Sequence, residues 1–440
     1  MEKIIPKRLA NTIMNSLKGG VVPRVGLEHI AVGRTDEINA LLHDIDIISD
    51  GSAAFRFIVG KYGSGKSFLL QIIRNYAMDR GFVLVDADLS PERRLHGTNN
   101  QGLATYKELI QNMSVKTKPD GGALSLILEK WISAILSEVC IEKGLTPDDD
   151  NFSKEIKIKI HKVVADIEGM VNGFDFAEAI LQYWEAYNNG DDYKKSLVLK
   201  WFRGEYSTRM EARRELGINL IVTDGNWYDF IKLFAFFLVK AGYKGMLVLI
   251  DELVNIFKIP HSITRQYNYE KILTMYNDVL QGKAQYIGIL MCGTPQCMED
   301  TIKGVFSYDA LRSRLSEGRF ASSEVKDLLA PIIRLSPLTY EEMYVLIEKL
   351  AKIHSGLYEY EFNITHDELV LFLKAEYERV GADINITPRE IIRDFIELLN
   401  IVYQNKDTTI SKIMGGDEFK FAAGGINEEE IHQDFAQFEI

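Results

Sequence analysis

Residues 57–70 read FIVGKYGSGKSFLL, in which an apolar segment leads into a glycine-rich turn and a second apolar segment follows. The central GKYGSGKS, residues 60–67, fits the pattern G-x-x-x-x-G-K-[ST] at every position. In this pattern backbone N–H groups cradle phosphates, the lysine reaches the β- and γ-phosphate oxygens, and the hydroxyl binds Mg²⁺. The stretch therefore predicts a strand, a phosphate-binding loop, and a helix whose N-terminus faces the anion. A glycine-rich turn with a solvated lysine is the alternative.

Residues 60–67, called the phosphate loop below, predict a site for ATP and Mg²⁺. Lys66 is expected on the phosphates and Ser67 on the metal ion. The residues expected to surround the phosphates are Gly60, Lys61, Tyr62, Gly63, Ser64, Gly65, Lys66, Ser67 and Phe68.

A pair of carboxylates decides between nucleotide binding and nucleotide hydrolysis. The apolar run MLVLIDE ends in Asp251 and Glu252. An aspartate at a strand end can hold Mg²⁺ through water, and an adjacent glutamate can orient or deprotonate an attacking water. The pair predicts an ATPase in which Asp251 serves the metal and Glu252 is the catalytic base. A strand end that merely turns polar at the surface is the alternative.

Five apolar runs bounded by turn residues predict a parallel sheet, because strands buried on both faces read as continuous apolar segments. Helical patterns between them favour an α/β fold. The expected fold class is a three-layer α/β/α P-loop core with a five-stranded, mostly parallel sheet, a large helical insertion and a small helical lid. The expected strands are 55–60, 82–89, 245–252, 286–294 and 331–338.

The same patterns divide the chain into expected domains. Two parts of the core flank a helical insertion, and a lid and a tail follow. The tail, from about residue 405, is expected to be flexible or ordered by a partner. The expected ranges, in chain order, are 1–97, 98–225, 226–338, 339–404 and 405–440.

Composition limits the classes of function. The chain has 440 residues, 46% of them hydrophobic, and a formal net charge of −12, so its overall field should repel nucleic acid and acidic membranes.

Its three cysteines lack metal-ligand spacing. The N-terminus lacks a signal-peptide pattern. The longest apolar run, 233–239, is too short to cross a membrane and predicts a buried helix, so we expect a cytoplasmic protein.

The order of these motifs resembles the P-loop ATPases that carry an additional strand and a catalytic glutamate. In that division a polar residue after the fourth strand lies between the two motifs. The resemblance makes Thr294, in MCGT, the candidate sensor of the γ-phosphate. A threonine before proline is also an ordinary turn residue.

Two groups of arginines resemble those of AAA+ ATPases. In that class an arginine before the fifth strand reaches the nucleotide of a neighbouring subunit, which points to Arg312 or Arg314, with Arg319 nearby. A second arginine at the start of a lid helix reaches the γ-phosphate, which points to Arg389 in TPREI. A solvated basic helix face and an ordinary first-turn arginine are the alternatives.

The segment HIAVGRTDEINALL, residues 29–42, resembles the adenine-pocket segment of AAA+ proteins of the origin-recognition type. The resemblance implies that Ile30, Val32, Gly33 and Arg34 line a base pocket. From the residues alone, Thr35 or Asp36 could simply cap a helix.

Taken together, VGRTDEI, GKYGSGKS, SPERRLHG, LIDEL, LRSRL and TPREI resemble the ATP-binding protein of BREX phage-resistance systems, the BrxC/BrxD family, and the length suits its BrxD-like form. The resemblance implies a homo-oligomeric, ATP-controlled switch that works with other defence proteins, plausibly a helicase. SPERRLHG brings Arg93, Arg94 and His96 to one loop, which could contact nucleic acid or a neighbouring subunit or be a solvated loop.

Direct DNA binding cannot be carried over from origin-recognition proteins, because too little chain follows the lid for a winged-helix domain. The best local basic patch is 202–215, whose glutamates offset much of its charge. Two other functions stay open: an initiator or helicase loader that ATP locks on DNA, and a scaffold that holds nucleotide without turnover.

Overall fold

The computed structural model describes residues 5–146, 149, 151–316, 327–361, 363–379, 387–405 and 407–415. Its strands form one parallel sheet in the order β2-β3-β4-β1-β5. The predicted α/β class and strand positions are confirmed, although the last strand is much shorter than its predicted range. The strands are β1 (Ala53–Val59), β2 (Val83–Asp88), β3 (Met246–Asp251), β4 (Ile287–Gly293) and β5 (Ile332–Arg334).

Helices precede, separate and follow these strands. In chain order they are α1 (Lys7–Lys18), α2 (Thr35–Ser49), α3 (Lys66–Asp79), α4 (Gln101–Gln111), α5 (Leu124–Lys143), α6 (Phe152–Glu168), α7 (Gly173–Asn188), α8 (Asp192–Phe202), α9 (Arg209–Leu216), α10 (Trp227–Lys240), α11 (Val254–Phe257), α12 (Ser262–Leu280), α13 (Pro295–Glu299), α14 (Asp309–Leu315), α15 (Tyr340–Tyr358), α16 (His366–Arg379), α17 (Pro388–Gln404) and α18 (Ile410–Met414). Short 3₁₀ turns lie at Leu27–His29 and Val305–Ser307.

Alternate residues of the central strands pack into two apolar clusters. In β1, Phe57 and Val59 belong to one cluster and Ile58 to the other. In β2, Val85 joins the first cluster and Leu84 the second. Because side chains alternate across a strand, the two clusters lie on opposite faces of the sheet, which explains why the strand sequences are apolar throughout.

The apolar run 233–239 lies inside α10, where Leu233, Phe234 and Phe237 are fully buried. The prediction of a buried helix is confirmed. Among the helices that the structure describes, none is both long and apolar enough to span a membrane. The described part of 98–225 consists of helices and loops, with isolated bridges at Leu84–Ser114 and Val115–Lys118.

The chain forms two compact units. One, called the sheet unit, runs from Arg34 to Ser336. The other, called the helical unit, combines Met1–Gly33 with Pro337–Ile440, and in it α1 packs against α15 and α17. The expected domain ranges divide the chain more finely and stay a prediction. Within the expected tail, α18 is described, whereas residues 416–440 lie outside the described part.

Candidate active site

The phosphate loop joins the end of β1 to the start of α3. Its first N–H, that of Gly60, donates to the Gly293 carbonyl at 3.1 Å, which ties the loop to the neighbouring β4. Gly63 and Gly65 have φ values of 73° and 92°, a region that residues with a Cβ avoid. A Cβ built on Gly65 would meet no atom within 4 Å, so the backbone faces open space there. The backbone at Gly65 is therefore open to the approach of a phosphate.

Lys66 is the first residue of α3, and its ammonium group lies over the loop. The Nζ atom donates to the carbonyls of Gly60, at 2.9 Å, and Lys61, at 3.0 Å, and stands 5.5 Å from the centre of the Tyr62 ring. Burial lowers the pKa of Lys66, and Asp251 opposes that shift. The Tyr62 side chain is 63% exposed at the outer side of the loop. The lysine is thus held where an anion on the loop would meet it.

Ser67 and Asp251 come from the two motifs and meet directly. The Ser67 hydroxyl donates to Asp251 Oδ2 at 3.3 Å, across 184 residues of sequence. A serine hydroxyl and one carboxylate suit Mg²⁺, which takes few protein ligands and completes its octahedron with water and phosphate oxygens. Phe68, also expected at the phosphates, is half-buried in the first turn of α3.

Glu252 follows Asp251 in an unusual backbone conformation. Its φ is 59°, which is uncommon for a residue with a side chain. Its N–H donates to the Asp251 carboxylate at 2.7 Å, and its own side chain is exposed. Such strained positions cluster at functional sites. The strand end therefore presents two neighbouring carboxylates in different settings, one hydrogen-bonded and one open to solvent.

Asp88 is a third carboxylate at this edge, and it was not among the residues expected from the sequence motifs. It ends β2 and pairs in register with Asp251 at the end of β3. Burial raises the pKa of Asp88, and the charges of Asp251, Asp86 and Glu252 add to that effect. The sequence carried a signal, because FVLVDADL, like MLVLIDE, is an apolar run that ends in acidic residues.

Thr294 follows β4, the strand that lies between β1 and β3 in the sheet. Its side chain is buried, and its hydroxyl accepts from the Cys297 N–H at 3.3 Å, which caps α13. The ordinary turn role is therefore real. The hydroxyl can still donate its own proton, so the sensor role stays a prediction.

Arg312 and Arg314 lie on α14 with exposed side chains. The Arg312 guanidinium donates to Asp309 at 2.6 Å, and that of Arg314 donates to the Ala310 carbonyl at 2.8 Å. Both side chains bond within their own helix and are accessible from outside the chain. Arg319 lies outside the described residues.

Ile30, Val32, Gly33 and Arg389 belong to the helical unit. Ile30 is buried and Val32 half-buried, and Lys349 of α15 donates to the carbonyl of the intervening residue, Ala31, at 2.9 Å. Arg389 is exposed in the first turn of α17. Their expected roles at adenine and γ-phosphate stay predictions.

Arg34 belongs to the sheet unit and is buried. Its guanidinium donates to the carbonyls of Ser64, at 3.0 Å, and Ser336, at 2.7 Å. The structure thus brings Arg34 to the backbone of the phosphate loop, and its expected role in a base pocket stays a prediction.

The SPERRLHG loop is fixed to the sheet unit by buried side chains. The side-chain oxygen Oδ1 of Asn268 accepts from the N–H groups of Leu95 and His96, at 2.9 and 3.0 Å. Arg93 Nε donates to the Asp88 carbonyl at 2.9 Å, and its guanidinium pairs with Glu108 at 3.2 Å. The loop therefore packs beside the carboxylate edge.

The basic stretch 202–215 covers the last residue of α8 and all of α9 except its last residue. Its Glu211 pairs with Lys200 at 2.6 Å, and Arg214 lies 3.4 Å from Glu215. Arg209 and Arg213 are exposed. Part of the charge is thus neutralised locally, as its composition predicts.

Comparison with known proteins gives one family. The family described as "BREX system ATP-binding protein BrxC/D" matches residues 5–418. No curated protein is similar enough to this chain to count as a match.

Proposed function

The chain belongs to the family of BREX system ATP-binding proteins BrxC/D, and from that premise we propose that it hydrolyses ATP to ADP and phosphate. Family membership makes it an ATP-binding protein of a BREX antiphage defence system, in which it has other proteins of that system as partners. The observation that carries the proposal of hydrolysis is the contact between Ser67 and Asp251. It joins a phosphate-binding loop to a carboxylate strand end, as a metal-dependent phosphoryl-transfer site requires.

The residues of the phosphate loop would bind and orient the triphosphate. Backbone N–H groups near Gly63 and Gly65 and the N-terminus of α3 supply positive partial charge, and the Lys66 ammonium neutralises the β- and γ-phosphates. Ser67 and Asp251 would hold Mg²⁺, which when bound neutralises charge on the phosphoryl oxygens.

Glu252 would act on the attacking water. Its exposed carboxylate adjoins the metal-binding Asp251, and it would accept a proton as the water oxygen bonds to the γ-phosphorus. The bond from that phosphorus to the bridging oxygen breaks, and ADP leaves with its electron pair. Glu252 then returns the proton to solvent.

The finer function is an oligomeric switch. Exposed Arg312 or Arg314 would complete the site of a neighbouring copy, where developing phosphoryl charge needs a cation. Thr294 and Arg389 would respond to the γ-phosphate. Nucleotide binding would then bias the assembly between two states that a partner, such as a helicase, distinguishes. A BrxD-like, cytoplasmic protein fits this proposal.

The test measures phosphate release by purified full-length protein with ATP and Mg²⁺, for the wild type, Glu252→Gln and Glu270→Gln. Glu270 is an exposed glutamate of α12 and serves as the matched control. We expect Glu252→Gln to bind ATP with near wild-type affinity and to turn over at least about a hundredfold more slowly. Full hydrolysis by this variant would remove Glu252 from the mechanism. If the wild type retains tightly bound nucleotide but hydrolyses none, both alone and with its partners present, the result would favour a scaffold that holds nucleotide without turnover.

A further inference from the structure

Arg34 stands at one of the two places where the chain passes between its compact units. These crossings are the peptide bonds 33–34 and 336–337, since the sheet unit runs from Arg34 to Ser336. Although it is a terminal residue of the unit, Arg34 is only 5% exposed. Its side chain enters the sheet unit.

One nitrogen of Arg34 connects two distant backbone segments. Arg34 Nη2 donates to the carbonyl of Ser64, in the phosphate loop, at 3.0 Å and to that of Ser336 at 2.7 Å. Arg34 Nη1 lies 4.0 Å from Glu37 Oε1, so a buried carboxylate compensates the charge. The guanidinium therefore joins the phosphate loop to the residue before the second crossing.

The contact with Ser64 fixes the direction of a phosphate-facing amide. In a trans peptide the C=O and the following N–H point in opposite directions. While Arg34 holds the Ser64 carbonyl, the Gly65 N–H must point away from Arg34. Gly65 has a φ of 92° and borders open space, so its amide direction matters for an anion on the loop.

The second crossing has stiff local geometry. Ser336 precedes Pro337, whose ring fixes φ and restricts the residue before it. A change in the backbone at this crossing is thus poorly absorbed by the two residues themselves and reaches the Ser336 carbonyl that Arg34 bonds.

We propose that Arg34 is a positioning residue that couples the phosphate loop to the crossing at 336–337. Occupancy of the loop by a nucleotide and the conformation of the crossing then bias each other, because coupling between two sites is reciprocal. The coupling rests on the proposed function, in that the occupant is ATP or ADP.

An arginine is needed for this role. Its planar guanidinium can direct two N–H bonds from one nitrogen and meet a carboxylate with another, whereas a lysine presents a compact charge on a flexible stem. Arg34→Lys keeps the charge and much of the volume, and it tests the geometry. Arg34→Gln removes the charge as well.

Arg56→Lys is the matched control. Arg56 is also buried in the sheet unit, bonds Asp44 and donates to two backbone carbonyls, those of Leu329 and Ala330, at 2.6 Å each. Its bonds do not include the phosphate loop. Substituting it controls for the loss of any buried arginine in this unit.

The experiment combines nucleotide affinity with hydrogen exchange on the full chain. Affinity is measured with ADP and with a non-hydrolysable ATP analogue, each with Mg²⁺. Exchange is measured in peptides covering 60–66 and 333–338, with and without nucleotide, at equal margins below each variant's melting temperature. In the wild type, nucleotide should slow exchange in both peptides.

Arg34→Lys should bind nucleotide about tenfold more weakly. At saturating nucleotide, slowing of exchange should persist in 60–66 and be lost in 333–338, while Arg56→Lys keeps both responses. Arg34→Gln should lose the response as well. If Arg34→Lys transmits the protection to 333–338 like the wild type, the coupling is wrong.

A separate outcome concerns the proposed function. If the wild type binds no nucleotide, ATP is not the occupant of the phosphate loop. The hydrogen-exchange data without nucleotide then test whether Arg34 positions the two backbone segments. Arg34→Lys should exchange faster than both wild type and Arg56→Lys in 60–66 and 333–338 together. Unchanged exchange in these two peptides would overturn that role.

Discussion

Asp88 and Asp251 occupy the same register position at the ends of two adjacent parallel strands. The two carboxylates therefore face a common edge of the sheet, and burial together with the charge of Asp251 raises the pKa of Asp88. A cation at this edge relieves their repulsion. The pair extends the candidate metal site beyond the contact between Ser67 and Asp251.

Replacing Asp88 should weaken the response to Mg²⁺. Asp88→Asn keeps the shape of the side chain but removes one negative charge. We expect the Mg²⁺ concentration for half-maximal ATP hydrolysis to rise several-fold. A rise of this size corresponds to the loss of about 0.5–1 kcal/mol of attraction between Mg²⁺ and the carboxylate. Asp251→Asn should raise it further. Titration of activity with Mg²⁺ at fixed ATP measures both. An unchanged Mg²⁺ requirement in Asp88→Asn would limit the metal edge to Asp251.

Removing the Lys66 ammonium should abolish tight nucleotide binding. Lys66→Ala loses charge-assisted hydrogen bonds to phosphate, which predicts an affinity for ADP and ATP lower by at least about tenfold. Fluorescent-nucleotide binding measures this loss. Lys258→Ala, at an exposed lysine, provides the control for a lost surface charge. Equal affinities in the two variants would contradict phosphate binding by Lys66.

The strands were predictable because their signal is local. A strand buried on both faces must be apolar at every position, so β1 to β4 could be located to within about two residues. The last strand was predicted over 331–338 but forms only at Ile332–Arg334. It pairs only with β1, at the edge of the sheet, and Pro337 cannot donate to a ladder.

The candidate site was predictable only where one motif contains the residue. Lys66, Ser67 and Asp251 follow from residue type and spacing. Asp88 needs the strand register, and the contact of Arg34 with Ser336 spans 302 residues. The acidic end of β2 is visible in the sequence, but its alignment with Asp251 is not. The contact of Arg34 arises from the tertiary fold, which no local pattern encodes.

The arginines of α14 should affect activity through assembly. Arg312→Ala and Arg314→Ala remove exposed side chains that bond only within α14 in the described structure. We therefore expect the nucleotide affinity and the melting temperature to stay near the wild-type values. The rate of ATP hydrolysis should fall at least about tenfold. Arg213→Ala, on exposed α9, is the control. Mixing either variant with Lys66→Ala should restore some activity if the arginine acts on a neighbour. A wild-type monomer that hydrolyses ATP at the full rate would exclude that role.

The buried pair of Arg56 and Asp44 should contribute to stability rather than to chemistry. Its two parallel hydrogen bonds are each 2.7 Å, and both side chains are buried. Arg56→Met leaves the Asp44 charge without its partner, which predicts a loss of about 3–5 kcal/mol in the free energy of unfolding. Arg56→Met combined with Asp44→Leu should recover part of that loss. Chemical denaturation of the two variants and the wild type checks both values.

His354 should make the helical unit sensitive to mild acid. Its ring is fully buried on α15. Nδ1 lies 2.8 Å from the Tyr360 hydroxyl, and Nε2 lies 3.4 Å from Asn400 Oδ1. Burial lowers the pKa of His354 below its usual 6.5. The unfolded chain therefore binds this proton more readily, so stability falls as pH drops below about 6.5 and continues to fall until the folded histidine is protonated. Melting temperatures between pH 7.5 and 5.5 should decline less steeply in His354→Gln than in the wild type. Parallel declines would show that other groups cause the acid sensitivity.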